Sequence, residues 1–160
     1  MFVAAYDRET GKAERLHQRY AHSSMTGVWS PDGKRAVVIA GTEARVESLA
    51  NALWTYDQDS WLPHGTSKDG NAMDQPVWLA TDDANPNGAT YLFLADGVTT
   101  DRLADYERCF EMFDGNDPAM VEVARGHWTA YKDAGHDLTY WQQMRSGGWE
   151  KKAEHNAAAE

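Results

Sequence analysis

Cysteine is almost missing from this sequence: Cys109 stands alone. No internal disulfide can form, and the chain suits a reducing cytosol. Cations are also scarce, with 15 Lys and Arg against 25 Asp and Glu, a net charge of −10. Holding nucleic acid needs an excess of Lys and Arg, so this balance argues against DNA as a direct ligand. No apolar run approaches the ~18 residues of a membrane span. The N-terminus has no basic stretch followed by an apolar core and a cleavage site, so no secretory signal is expected and the expected location is cytoplasmic. Glycine is thin where nucleotide chemistry would need it. VVIAGTEAR has one Gly where a dinucleotide fingerprint has three, and no Gly-rich loop ends in Lys-Ser or Lys-Thr. The six His are scattered, and none has a Cys at zinc-finger spacing. No metal and no cofactor are expected. His64, beside Pro63, is a candidate general base with no nucleophile placed to meet it.

Apolar periodicity is what remains, and it is clear. FVAAY (2–6) reads as a short first strand. RAVVIAG (35–41) is a β-branched run of the kind buried on both faces in a parallel sheet. Thr42 can cap the helix that follows, in which Val46, Leu49, Ala50, Leu53 and Trp54 share a face. PVWLAT (76–81) and ATYLFLADG (89–97) read as strands, with Trp78 in the core. DRLADYERCFEMF (101–113) reads as a helix, from Leu103, Tyr106, Phe110 and Phe113 at spacings of three and four. Asp117 as cap and Pro118 at the first helical position begin another helix, running to about Ala134 and stopped by Gly135. Residues 145–160 are small and polar and read as a frayed tail. Strands alternating with helices predict an α/β domain with a mostly parallel sheet and helices on both faces. Its expected extent is 1–144.

Two stretches point to docking rather than catalysis. ALWTYDQDSWLPHG (52–65) carries two indoles, Trp54 and Trp61, around an acidic turn. On the late helix Arg125, Trp128, Thr129 and Lys132 fall at i, i+3, i+4 and i+7. Two cations flanking an indole can hold an acidic peptide with an apolar anchor, and Arg can fork onto a terminal carboxylate. The same stripe also reads as the wet side of a helix, and both readings stand at this stage.

Three stretches, ALWTYDQDSWLPHG, NPNGATYLFLADG and ARGHWTAYKDAGHDLTYWQQ, resemble in their order the chi subunit of bacterial DNA polymerase III, of alphaproteobacterial type. The likeness covers roughly residues 36 to 143, and the first 34 residues diverge. It implies a single Rossmann-like, three-layer α/β/α domain without catalysis. It also implies a clamp-loader accessory subunit that joins a psi subunit, or another component of that assembly. Such a subunit binds the acidic, Phe-ended C-terminal tail of single-stranded DNA-binding protein, so it meets DNA only indirectly and no membrane. The family's tail pocket maps onto Trp54, Trp61, Arg125, Trp128, Lys132 and Leu138. Thr129 stands at a position that is basic in better-known members. The expectation is one cationic notch in which Trp54, Trp61 and Trp128 enclose a terminal Phe. The rival expectations are an enzyme acting on a nucleotide or phosphoester, and a direct nucleic-acid-binding module.

Overall fold

Val37 and Val38 sit side by side in the chain, and both are buried. A strand covered on its two faces does this, and β2 (Ala36–Ile39) is such a strand. In the computed structural model, which describes residues 2–7, 34–55, 62–144 and 148–156, β2 lies between parallel neighbours β4 (Val77–Ala80) and β5 (Tyr91–Ala95). Beyond β4 runs β3 (His64–Thr66), and beyond β5 runs β6 (Arg108–Phe113), both parallel to their neighbours. The sheet then turns antiparallel through β1 (Phe2–Asp7), β7 (Leu138–Gln143) and β8 (Trp149–His155). Its order is β3-β4-β2-β5-β6-β1-β7-β8. The α/β class and the parallel sheet are as the sequence predicts.

Two α-helices are present among the described residues, α1 (Glu43–Thr55) and α2 (Pro118–Asp133). Thr42 caps α1 as expected, its hydroxyl accepting from the Arg45 N–H at 3.2 Å. Val46, Leu49 and Leu53 of α1 pack on Ala36, Val38, Val77, Leu79 and Phe93. On the sheet's other face Val37, Ile39, Trp78, Leu92 and Leu94 form a second cluster with Tyr106 and Cys109. Each fully buried Val or Leu side chain contributes about 1.5–3 kcal/mol.

The helices take opposite faces. Neighbouring parallel strands project paired residues to the same side and successive residues to opposite sides. Phe93 and Phe110 stack at 4.5 Å on the α1 side. Glu111 and Phe113 therefore project to the other side, where they meet α2. The topology explains this. β2–α1–β3 crosses toward one sheet edge and β6–α2–β7 toward the other. If both crossovers keep the usual right-handed sense, their helices fall on opposite sides.

Two sequence expectations are corrected. Residues 101–113 are not a helix: a 3-10 turn at Leu103–Asp105 leads into β6. The spacing of Leu103, Tyr106, Phe110 and Phe113 imitated a helical stripe, but Tyr106 is buried in one cluster and Phe110 stacks on the opposite face. Residues 149–155 are not frayed: they form β8, paired with β7 across a register shift at Tyr140/Trp141. β8 is polar because it is an edge strand with mostly exposed side chains. AERLHQRYA, in which Leu16 and Tyr20 four apart read as a weak helical stripe, lies outside the described residues.

Candidate binding pocket on helix α2

Sequence fixes both ends of α2. The Asp117 carboxylate accepts from the Ala119 and Met120 N–H groups at 2.9 and 3.4 Å, and Pro118 fills the first position. At the far end Gly135, at φ 81°, lets the His136 N–H reach the Tyr131 carbonyl and its own N–H the Lys132 carbonyl. These are the two bonds of a Schellman stop.

Between these ends the helix stands off the sheet. None of its residues is fully buried. Val121, Ala124, Arg125, Trp128 and Tyr131 roof a cavity of about 280 Å³ whose other walls are Glu111 and Phe113 of β6, Leu138 and Tyr140 of β7, and Ala153 of β8. The lining is mostly apolar, and Arg125 supplies the cation. The Arg125 guanidinium is well exposed, and its ion-pair partner is Glu122, one turn away at 3.5 Å. A pair so wet holds the side chain weakly. Burial raises the Tyr140 phenol above its ordinary pKa, and the Arg125 charge pulls the other way.

The pocket's polar floor went unseen in the sequence. Glu111 is 6% exposed and accepts a 2.7 Å hydrogen bond from His127 Nδ1 of α2. Burial raises the carboxyl's pKa, and the bond to His127 opposes the rise. Tyr131 lies beside this pair, its hydroxyl buried without a hydrogen-bond partner among the described residues. Its pKa is pushed up to about 12 by burial and the neighbouring carboxylate. Reading 101–113 as a helix had hidden Glu111, which in a strand alternates with Phe110 and Met112 onto the pocket side.

The six candidate residues divide. Arg125, Trp128 and Leu138 meet at the cavity. Lys132 is exposed one turn beyond Trp128 and does not line it. Thr129 adds no charge, and its hydroxyl donates back to the Arg125 carbonyl at 3.1 Å. Trp61 lies outside the described residues. Trp54 is elsewhere. It is 55% exposed at the end of α1, its ring centroid 4.6 Å from that of His64 on the edge strand β3. It lies on the opposite face from α2, and β3 is four strand spacings from β6, or ~19 Å. The expected notch joining Trp54 to Arg125 and Trp128 is therefore not formed, because the crossovers diverge.

His64 is a brace rather than a base. It is buried, with Nδ1 2.8 Å from the Leu62 carbonyl and Nε2 3.1 Å from the Ala50 carbonyl. Cys109 is equally unsuited to nucleophilic work, since burial pushes its thiol up to about 12. At the carboxyl ends of the strands, where a nucleotide phosphate would meet the start of α1, the chain supplies its own anion. Asp96 accepts from the Gly41 N–H at 3.4 Å and from Arg45 Nε at 3.1 Å. Among the described residues no cluster of His, Cys, Asp or Glu is arranged to hold a metal, and no helix is long and apolar enough to cross a membrane.

Comparison with known proteins adds a lineage to this geometry. The family model described as "DNA polymerase III chi subunit, HolC" matches residues 9–139. A "Probable DNA polymerase III subunit chi" from Rickettsia prowazekii (strain Madrid E) is 24% identical over 79 residues, 49% of this chain. The match spans about half of that relative, 48% of its length. The family match includes Arg125, Trp128, Lys132 and Leu138, and stops short of Tyr140 and Ala153.

Proposed function

From the premise that this chain belongs to the DNA polymerase III chi subunit family, we propose that it is a non-catalytic adaptor of the clamp-loader assembly. Its α2 pocket captures the acidic, Phe-ended C-terminal tail of single-stranded DNA-binding protein. The observation that carries this reading is an apolar cavity of about 280 Å³ with Arg125 on its wall beside Trp128 and Leu138. A terminal Phe ring entering it would gain roughly 1.5–3 kcal/mol from burial. The terminal carboxylate, one bond from the ring-bearing carbon's neighbour, stays within reach of the Arg125 fork. Lys132 one turn on extends the cationic stripe toward the acidic residues upstream.

The overall charge of −10 supports an adaptor that meets DNA through another protein. A psi subunit or another clamp-loader component would occupy a different surface. Trp54 is left out of the pocket, in contrast to the expectation drawn from the resemblance.

The test is fluorescence anisotropy with a labelled acidic peptide ending in Phe. Saturable binding is expected, weakened about tenfold or more by Arg125→Ala or by replacing the terminal Phe with Ala. A parent protein that leaves the peptide's anisotropy flat at every concentration would sink the assignment.

A further inference from the structure

A pocket offered to an anionic peptide end should not keep a carboxylate on its floor, yet Glu111 lines this one. It is 6% exposed, and its hydrogen-bond partner among the described residues is His127, at 2.7 Å. Strand β6 could carry an apolar residue at this position, since Phe113, Val121, Leu138 and Ala153 also line the cavity.

The chemistry of the occupant resolves the conflict. An aromatic ring has a positive edge and a negative face, so a ring entering edge-first meets a carboxylate favourably. A second carboxylate at the same depth is repelled, and in a low-dielectric site strongly so. Glu111 therefore admits a ring and turns away an acid group. Arg125, on the wall beside Trp128, takes the acid group instead. The charge of the floor is adjustable, because Glu111 shares its environment with an imidazole. With His127 neutral the pair carries one negative charge. With one more proton it carries none.

Resting on the functional reading above, we infer that Glu111, held by His127, is a positioning residue of the pocket. It orients the ligand ring-inward and carboxylate-outward, and the pair takes up a proton as the anion binds. The groups facing Glu111 are few. From α2 come His127, Tyr131 and Arg125, from β7 comes Tyr140, and Cys109 precedes it on the same face of β6. Its paired neighbour on β5 is Leu94 and on β1 is Ala4, neither of which titrates. Tyr131 and Cys109 are each pushed up to about 12 and His136 stands behind Tyr131, 6.2 Å between rings, so the group bonded directly to Glu111 is His127 and that pair is the proposed site of uptake. The sign follows. Binding an anion favours the protonated pair, so affinity rises as pH falls, while the ligand's own carboxylates remain ionised.

The experiment is calorimetric titration of the full chain with the acidic Phe-ended peptide and, separately, with N-acetyl-phenylalanine. Each is run at about pH 8 and about pH 5.5, in buffers of differing ionisation heat. Expected are net proton uptake by the parent and affinity about five- to tenfold higher at the lower pH. Glu111→Gln should abolish the uptake and flatten the pH profile, with affinity at about pH 8 raised to the parent's value at about pH 5.5, whereas His127→Gln leaves a buried Glu111 that can still take up a proton and so keeps part of the pH dependence. Binding by the parent without proton uptake overturns this inference and leaves the functional reading intact. Failure of both ligands to bind at either pH overturns the functional reading, and this inference with it. Because the parent's proton uptake is decisive by itself, the result does not depend on the Glu111 variant folding.

Discussion

The Trp54 corner and the Trp128 pocket both present an indole to solvent, and they differ in what lies beneath it. Under Trp54 is His64, buried, with both ring nitrogens against backbone carbonyls. Those two contacts hold the ring between α1 and the start of β3. Under Trp128 are a cavity, a buried carboxylate and a tyrosine hydroxyl without a partner among the described residues. An indole over that brace covers it. Under the proposed function, the indole beside a cavity with a cation at its wall is the one that binds, although Trp54 is the more open of the two.

The largest test of this contrast is Trp128→Ala. Peptide affinity should fall about tenfold or more, measured by anisotropy, with only a small change in melting temperature. The complementary change, His64→Ala, should do the reverse. Losing a buried ring that packs between the carbonyls of Ala50 and Leu62 and donates to one of them should cost about 2 kcal/mol in denaturant unfolding, with peptide affinity within about twofold of the parent. If affinity instead collapses with a fold still intact, the two regions are coupled and the contrast fails. A smaller effect is expected from Thr129→Lys, which restores a cation on the Arg125 face. Affinity should rise about two- to fivefold at low salt, with a steeper loss on adding salt. Trp54→Ala should give the smallest effect on binding, within about twofold in the same assay. A loss comparable to that of Trp128→Ala would show that the α1 corner joins the site.

Much of the fold was legible because it depends on neighbours in sequence. Val46, Leu49 and Leu53 announce α1, and Asp117–Pro118 and Gly135 bracket α2, whatever the rest of the chain does. Residues 103–113 misled because apolar spacings of three and four arise by chance where a turn runs into a strand. There, Tyr106 and Phe110 belong to opposite faces. The polar strand β8 was hidden for another reason: an edge strand with exposed side chains has little apolar pattern to read. Three of the ten residues that line the pocket went with these two segments, since Glu111, Phe113 and Ala153 lie on them.

What the sequence determined by itself was local chemistry: the helix ends, the doubly buried central strand, and the stripe that puts Arg125 and Trp128 on adjoining turns. What only the tertiary structure decided was company. Crossovers heading to opposite edges of the sheet carried Trp54 away from Arg125, and strand alternation carried Glu111 to His127. Periodicity fixes which face of an element a side chain occupies. Which face of the sheet that element then covers depends on the order of the strands, and strand order is set by the whole chain at once.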